Sequence, residues 1–388
     1  MTSKHNLLPV IVIIAFNRPD SLSRILNSIS EAKYPNENVD LIISIDKSHN
    51  NQNVLDVANN FNWKNGCKKV EYQSQNLGLR KHILKSMLFA REYGSMIMLE
   101  DDLFVSPDYY NYSKQSLEFS ENNENIAGIS LYNHQYNVHK QENFTAIEDG
   151  YDNYYFQFAS SWGQAWTAKQ IDCFLEWYNQ KIDINNLKGI PAYVTNWSEK
   201  SWLKHFIAYT VNQNKFFIYP KISLTTNFGD EGANMDVSNT YYQVPILLSS
   251  GKKYNFSTLI ETRSIYDVYF ENLSISNELN LDKKDITIDL YGIKPLVSDK
   301  QYLLTSLKYD YKIIKSFGRN FKPHDLNIIK NIQGLDFFLY DTNVKSINKH
   351  KVKPFEIIDY NKKTISLTES FIIFKHKFIQ RLLIFFGK

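Results

Sequence analysis

Glu100, Asp101 and Asp102 stand in direct succession behind an apolar run, Met96 to Leu99. A buried strand that delivers three carboxylates at its tip makes a site for a divalent cation. Like charges packed so closely raise one another's pKa unless a cation or hydrogen bonds compensate. Hard oxygen donors suit Mg²⁺ or Mn²⁺, and these ions in turn bridge phosphate oxygens. Acids behind a strand also serve merely to solvate a loop, so what stands beside them decides between the two.

The elements around the triplet alternate. Residues 9–16 read as a fully buried strand, and Asn17-Arg18-Pro19-Asp20 is a turn. Asp20 or Ser21 then caps a helix whose Leu22, Ile25, Leu26 and Ile29 fall at helical spacing. A second strand, 39–45, ends at Asp46, and a weaker helix covers about 51–61. A short third strand, 69–73, leads through Asn76-Leu77-Gly78 into a helix over 79–93. The fourth strand, 95–99, carries the acids, and Ser106 and Pro107 are the expected N-cap and first residue of the helix that follows. Four strand–helix alternations predict an α/β fold with a mainly parallel sheet. Ligands of such sheets bind beyond the carboxyl ends of the strands. Asn17 with Arg18, Asp46, and Glu100 to Asp102 all fall there. No GxGxxG and no Walker lysine occurs, so neither a dinucleotide site nor a P-loop is indicated.

The 388 residues suffice for one large or two ordinary domains, and a formal net charge of +3 gives no footprint for nucleic acid. Cys67 and Cys173 lack metal spacing and fit reduced thiols of a reducing compartment. The apolar run 7–16 is too short to span a bilayer, so neither a secretion signal nor an N-terminal anchor is expected. Arg80 either faces solvent or reaches a diphosphate. Trp162, beside Gly163, is a candidate sugar platform, although tryptophans more often fill cores. His82, His134 and His205 show no ligand spacing. Past residue 241 the alternation fades, and 241–370 is expected to be a smaller C-terminal region. Residues 371–388 form a basic amphipathic tail that either docks on the protein's own core or lies on a membrane surface.

The stretches NLGLRKHIL, MIMLEDDLFVSPDYYNY and IYPKISLTTNFGDEG, in that order, resemble the GT-A glycosyltransferases related to N-acetylglucosaminyltransferase I. The resemblance covers roughly residues 9–235 and implies a GT-A domain over 1–240. It implies a nucleotide site at Asn17 and Arg18, a uracil contact at Asp46, and a donor motif in which Asp102 holds the metal. Asp101 falls near the ribose and Glu100 near the donor sugar. The cation, Mn²⁺ or Mg²⁺, would neutralise the departing diphosphate of a UDP-sugar. The resemblance also implies inversion at the anomeric carbon, with a base that deprotonates the acceptor hydroxyl.

One departure stands out. Trp202 aligns with a tryptophan that the family follows with its catalytic aspartate, and here Leu203 and Lys204 follow instead. Glu199 is the nearest carboxylate and the candidate base, with Asp230 and Glu231 as further ones. The leading expectation is thus a metal-dependent transferase of surface-polysaccharide synthesis, acting on a glycan or lipid-linked acceptor. It would be cytoplasmic, peripheral on the inner face of the plasma membrane through 371–388. The rival is a nucleotide-sugar-binding module that has lost its base.

Overall fold

The computed structural model describes residues 7–231, 240–295, 300–349, 358, 360 and 366–385. Its centre is a nine-stranded sheet in the order β13-β9-β11-β6-β10-β4-β1-β2-β3. Four strands from the first hundred residues form one half: β1 (Val10–Ala15), β2 (Leu41–Ile45), β3 (Lys68–Tyr72) and β4 (Ser95–Glu100), all mutually parallel. The other half is mixed. It comprises β6 (Ile126–Ser130), β9 (Asn153–Phe156), β10 (Gln164–Thr167), β11 (Phe216–Pro220) and β13 (Ile265–Tyr266), with β10 antiparallel to both β4 and β6. The expected α/β class with a mainly parallel sheet is borne out.

β1, β2 and β4 are apolar almost to their tips because both faces are covered, whereas β3, at the end of the sheet, is polar and half-exposed. Along β1, Val10, Val12 and Ile14 enter one core and Ile11, Ile13 and Ala15 the other, as a period of two requires. The first core takes the helices α3 (Leu79–Met87), α6 (Ala168–Asn179) and α8 (Trp202–Asn212). The second takes α1 (Pro19–Glu31), α2 (Gln52–Asn60) and α5 (Tyr109–Ser120).

Two helices differ from their expected extents. The helix over 79–93 breaks at Leu88, whose N–H bonds back to Lys85 O at 3.1 Å, and a short α4 (Phe89–Tyr93) follows. The α5 helix begins at Tyr109 rather than Pro107. The Pro107 carbonyl is drawn to the Lys33 N–H (2.9 Å), and Ser106 Oγ accepts from the Asp108 N–H (3.2 Å) while donating to Leu247 O.

Residues 240–264 run back along the first domain. Leu247 N–H bonds to Ser223 O, Gly251 N–H to Asp108 Oδ1, and Ser257 N–H to Asn153 Oδ1. The main sheet therefore closes with β13, and the boundary expected at 240 falls inside this domain. A second sheet in the order β14-β15-β17-β16 begins only at β14 (Ile286–Asp289). Its other strands are β15 (Tyr302–Thr305), β16 (Tyr311–Phe317) and β17 (Phe337–Lys345). It packs its own core of Ile286, Ile288, Leu304, Phe317, Phe337 and Leu339.

Candidate functional site

Register places the acids. Ile14 on β1 is level with Glu100 on β4, so the turn after Ala15 comes abreast of Asp101 and Asp102. From that turn Arg18 reaches across the strand tips. Its Nη2 pairs with Asp101 Oδ1, and its Nη1 lies 3.2 Å from Asp102 Oδ2. Asp101 is buried and its carboxyl is pushed up to about 6. Burial is the main cause and Asp102 adds to it, while Arg18 and the Phe16 N–H oppose. Glu100 is raised well above the usual carboxylate range, by burial first and then by Asp102 and Asp101. Asp102 is the member with spare capacity: its Oδ1 is buried and accepts no hydrogen bond from the described residues. A buried carboxylate oxygen left without a donor is costly unless something cationic completes it.

A second clasp lies over the triplet. A two-stranded ladder joins β5 (Leu103–Val105) to β12 (Thr225–Asn227). The loop leaving β12 then folds back, so that the Phe228 N–H bonds to Asp102 O at 3.0 Å. Phe228 lies under the Arg24 guanidinium at 4.0 Å, and Asp230 accepts from Ser21 Oγ at 2.7 Å and pairs with Arg24. Asp230, expected as a further candidate base, is thus tied to α1. Glu231, beside it, is exposed.

Asp46 ends β2 as expected, buried at 4 % exposure. Its Oδ1 accepts from the Lys47 and Leu77 N–H groups (2.9 and 2.8 Å), and its Oδ2 accepts from Gly78 (2.9 Å). The carboxylate therefore holds the NLG turn against the tip of β2 and keeps lone-pair capacity on Oδ2. Asn51, read from sequence only as a helix start, joins two strand tips: its Nδ2 donates to Phe16 O (3.0 Å) and to Asp46 O (2.8 Å). An asparagine placed just before a helix and next to a strand end was the available signal. Asn17 is exposed at the first tip.

From the NLG turn, α3 carries Arg80 towards α8. Arg80 Nη1 lies 3.0 Å from His205 Nε2 and 4.0 Å from Glu199 Oε2. Burial, and then Arg80, hold the His205 imidazole down at about 4, so its Nε2 is free to accept from the guanidinium. Glu199 precedes α8, which Ser201 caps through the Lys204 N–H. The Glu199 side chain is 71 % exposed and its Oε1 accepts from buried Lys204 Nζ at 2.5 Å. That hydrogen bond draws the Glu199 carboxyl below its usual range. Leu203 packs at the edge of the first core.

Trp162 sits one strand over from the acids, since Gln164 is paired with Met98. Thr225 Oγ1 donates to Trp162 O (2.5 Å), and Gly163 turns the chain at φ 92°, where an added Cβ would meet Thr225 Cγ2 at 2.8 Å. The indole packs against Tyr132 and Tyr242, with ring centroids 4.6 and 4.7 Å apart. It is half-buried, with His134 behind it at 5.6 Å. Burial drives the His134 ring down to about 3, which keeps it neutral. The structure thus brings Asn17, Arg18, Asp46 and Glu100 to Asp102 to the carboxyl ends of three neighbouring strands, β4, β1 and β2. Arg80 with Glu199, and Trp162, stand on their flank.

A mainly parallel sheet with acids gathered beyond its carboxyl ends is what the resemblance to GT-A glycosyltransferases implies. Residues 10–175 match the family described as Glycosyl transferase family 2, and over that segment the resemblance read from sequence is borne out. The chain is 24 % identical over 258 residues to an Arabidopsis thaliana alpha-1,3-mannosyl-glycoprotein 2-beta-N-acetylglucosaminyltransferase. That match takes in 62 % of this chain and 51 % of the plant protein, so the chain spans about half the length of this curated relative. Solved structures similar to it include a mannosyltransferase, PcManGT of Pyrobaculum calidifontis, in complex with GDP-Man and Mn²⁺, with a TM-score of 0.35, 11 % identity and 55 % of each chain covered. S. aureus TarS is another, with a TM-score of 0.35, 12 % identity, and 56 % of this chain and 36 % of that one covered.

Proposed function

We propose that this protein transfers a sugar from a UDP-sugar to a hydroxyl of a glycan or lipid-linked glycan, with inversion, in the assembly of a bacterial surface polysaccharide. The observation that carries the reading is the meeting of Arg18, Asp46 and the acid triplet at the carboxyl ends of neighbouring strands. In this reading Asp46 Oδ2 accepts from the uracil N–H, and Asp101 faces the ribose. Asn17, Arg18 and Arg80 face the diphosphate. Glu100 faces the donor sugar and Trp162 offers a flat ring to a pyranose.

Asp102 would hold the cation, Mn²⁺ or Mg²⁺. Its buried Oδ1, without a donor among the described residues, fits that role. Among the described residues no three histidine, cysteine or acidic side chains form a metal cluster, and phosphate oxygens of the donor would be further hard ligands. The bound cation would offset charge building on the leaving diphosphate. Glu199 is the candidate base, kept ionised by Lys204 and linked through Arg80 to the donor loop. The setting is cytoplasmic, where nucleotide-sugars are made.

A calorimetric comparison of UDP, GDP and CDP, each with and without Mn²⁺, tests the reading. UDP is expected to bind most tightly, at least tenfold better with Mn²⁺ than without. Equal binding of all three, or no effect of Mn²⁺, would overturn it. The second reading, a nucleotide-sugar-binding module without turnover, draws its support from the ion pair that occupies Glu199 and from Leu203.

A further inference from the structure

The last described helix, α11 (Leu367–Phe385), is built by local rules, yet its described apolar side chains are exposed. Ser366 and Glu369 form a reciprocal cap: Glu369 Oε2 accepts from the Ser366 N–H at 2.8 Å, and Ser366 Oγ accepts from the Glu369 N–H at 3.2 Å. The helix would therefore be expected to bury an apolar stripe against the protein. Instead Phe371 is 67 % exposed, Phe374 66 %, Phe378 55 % and Leu382 40 %, with Ile372 at 59 % and Ile379 at 43 %. Docking on the protein's own core, the rival expectation for this tail, is not what the fold does with it.

We infer that α11 lies in the headgroup layer of an anionic phospholipid bilayer, independently of whether the domain transfers sugar. At about 100° per residue, Phe371, Phe374, Phe378 and Leu382 share an arc of about 80°, Ile372 and Ile379 widen it to about 160°, and exposed Ile373 stands outside it. Arg381 borders that arc and Lys377 lies beyond it. Lys375 falls inside it, where a long stem can lie along apolar chains while the ammonium reaches phosphate. No acid occurs between Ser370 and Phe385. The charge thus complements a negative surface along the helix.

The alternatives fit less well. A second copy packing helix to helix needs a narrow apolar seam, and Lys375 would sit in it. Crossing is excluded, because no helix among the described residues is long and apolar enough to span a membrane. A broad apolar arc bordered by cations is the pattern of a helix lying in the interface plane.

The test is co-sedimentation of the full chain with vesicles of phosphatidylcholine alone or with phosphatidylglycerol replacing part of it. At least about tenfold stronger partitioning onto the anionic vesicles is expected. Phe371→Ser/Phe374→Ser/Phe378→Ser should abolish binding to both. Lys375→Gln/Lys377→Gln/Arg381→Gln should bring the anionic vesicles down to the neutral level. Both variants should keep the parent's melting temperature and UDP affinity, because these side chains are exposed. No sedimentation of the parent, or unchanged sedimentation of the serine variant, would overturn the inference. So would a dimer, seen by light scattering, that the serine variant dissolves.

Discussion

Asp102→Asn is expected to lower sugar transfer by roughly 10³-fold, a loss of about 4 kcal/mol of transition-state stabilisation. The substitution keeps the shape of the side chain and removes its charge. Asp102 Oδ2 meets Arg18 at 3.2 Å, whereas Oδ1 is enclosed without a donor among the described residues. An amide there would still offer one carbonyl oxygen, but not an anion able to fix a divalent cation beside a diphosphate. UDP affinity measured without metal should hardly change, because Asp46 and the first strand tip are untouched. The increment that Mn²⁺ adds should vanish. Turnover of a UDP-sugar, followed as UDP release across a Mn²⁺ series, gives the first number and calorimetry the second. A variant with parental turnover and a parental Mn²⁺ increment would remove Asp102 from the metal site.

Glu199→Gln separates transfer from mere binding. If Glu199 deprotonates the acceptor, kcat should fall by about 10² to 10⁴ while UDP affinity stays within twofold. The pH profile carries a sign that a purely structural role would not produce. Lys204 draws the Glu199 carboxyl below the usual carboxylate range, so the base is ionised at neutral pH. The acid limb that Glu199 contributes should therefore lie below the ordinary carboxylate range, with activity lost as pH falls through that lowered value. Lys204→Met releases the carboxyl towards its ordinary value, and the acid limb should move up in pH. A Glu199→Gln variant with unchanged turnover would hand the role of base to another group. Absence of turnover in both parent and variant, with UDP still bound, would favour the binding module.

The chemistry of the first hundred residues was legible because the first, second and fourth strands there are buried on both faces. Each apolar run therefore stops where the polar tip begins, at Asn17, at Asp46 and at Glu100. The mixed half of the sheet was harder to read. Strands as short as Asn153–Phe156 and Ile265–Tyr266 carry no period that distinguishes them, and their partners lie far away in sequence. The same distance hid the clasp of Phe228 on Asp102 and of Asp230 on Arg24, which brings together residues more than a hundred positions apart. Ser106 illustrates a local rule overridden: it has the side chain of an N-cap, but Leu247 and Lys33 draw its turn away from the helix. The return of 240–264 along the first domain rests on single side-chain anchors such as Asp108 and Asn153, which no pattern along the chain announces.

The most direct test of the account is a crystal structure with UDP and Mn²⁺, with data collected at the manganese edge. The account predicts one anomalous peak at ligand distance from the Asp102 carboxylate, bridged to the diphosphate, with the uracil beside Asp46. A peak elsewhere, or UDP bound away from the tips of the first, second and fourth strands, would contradict it.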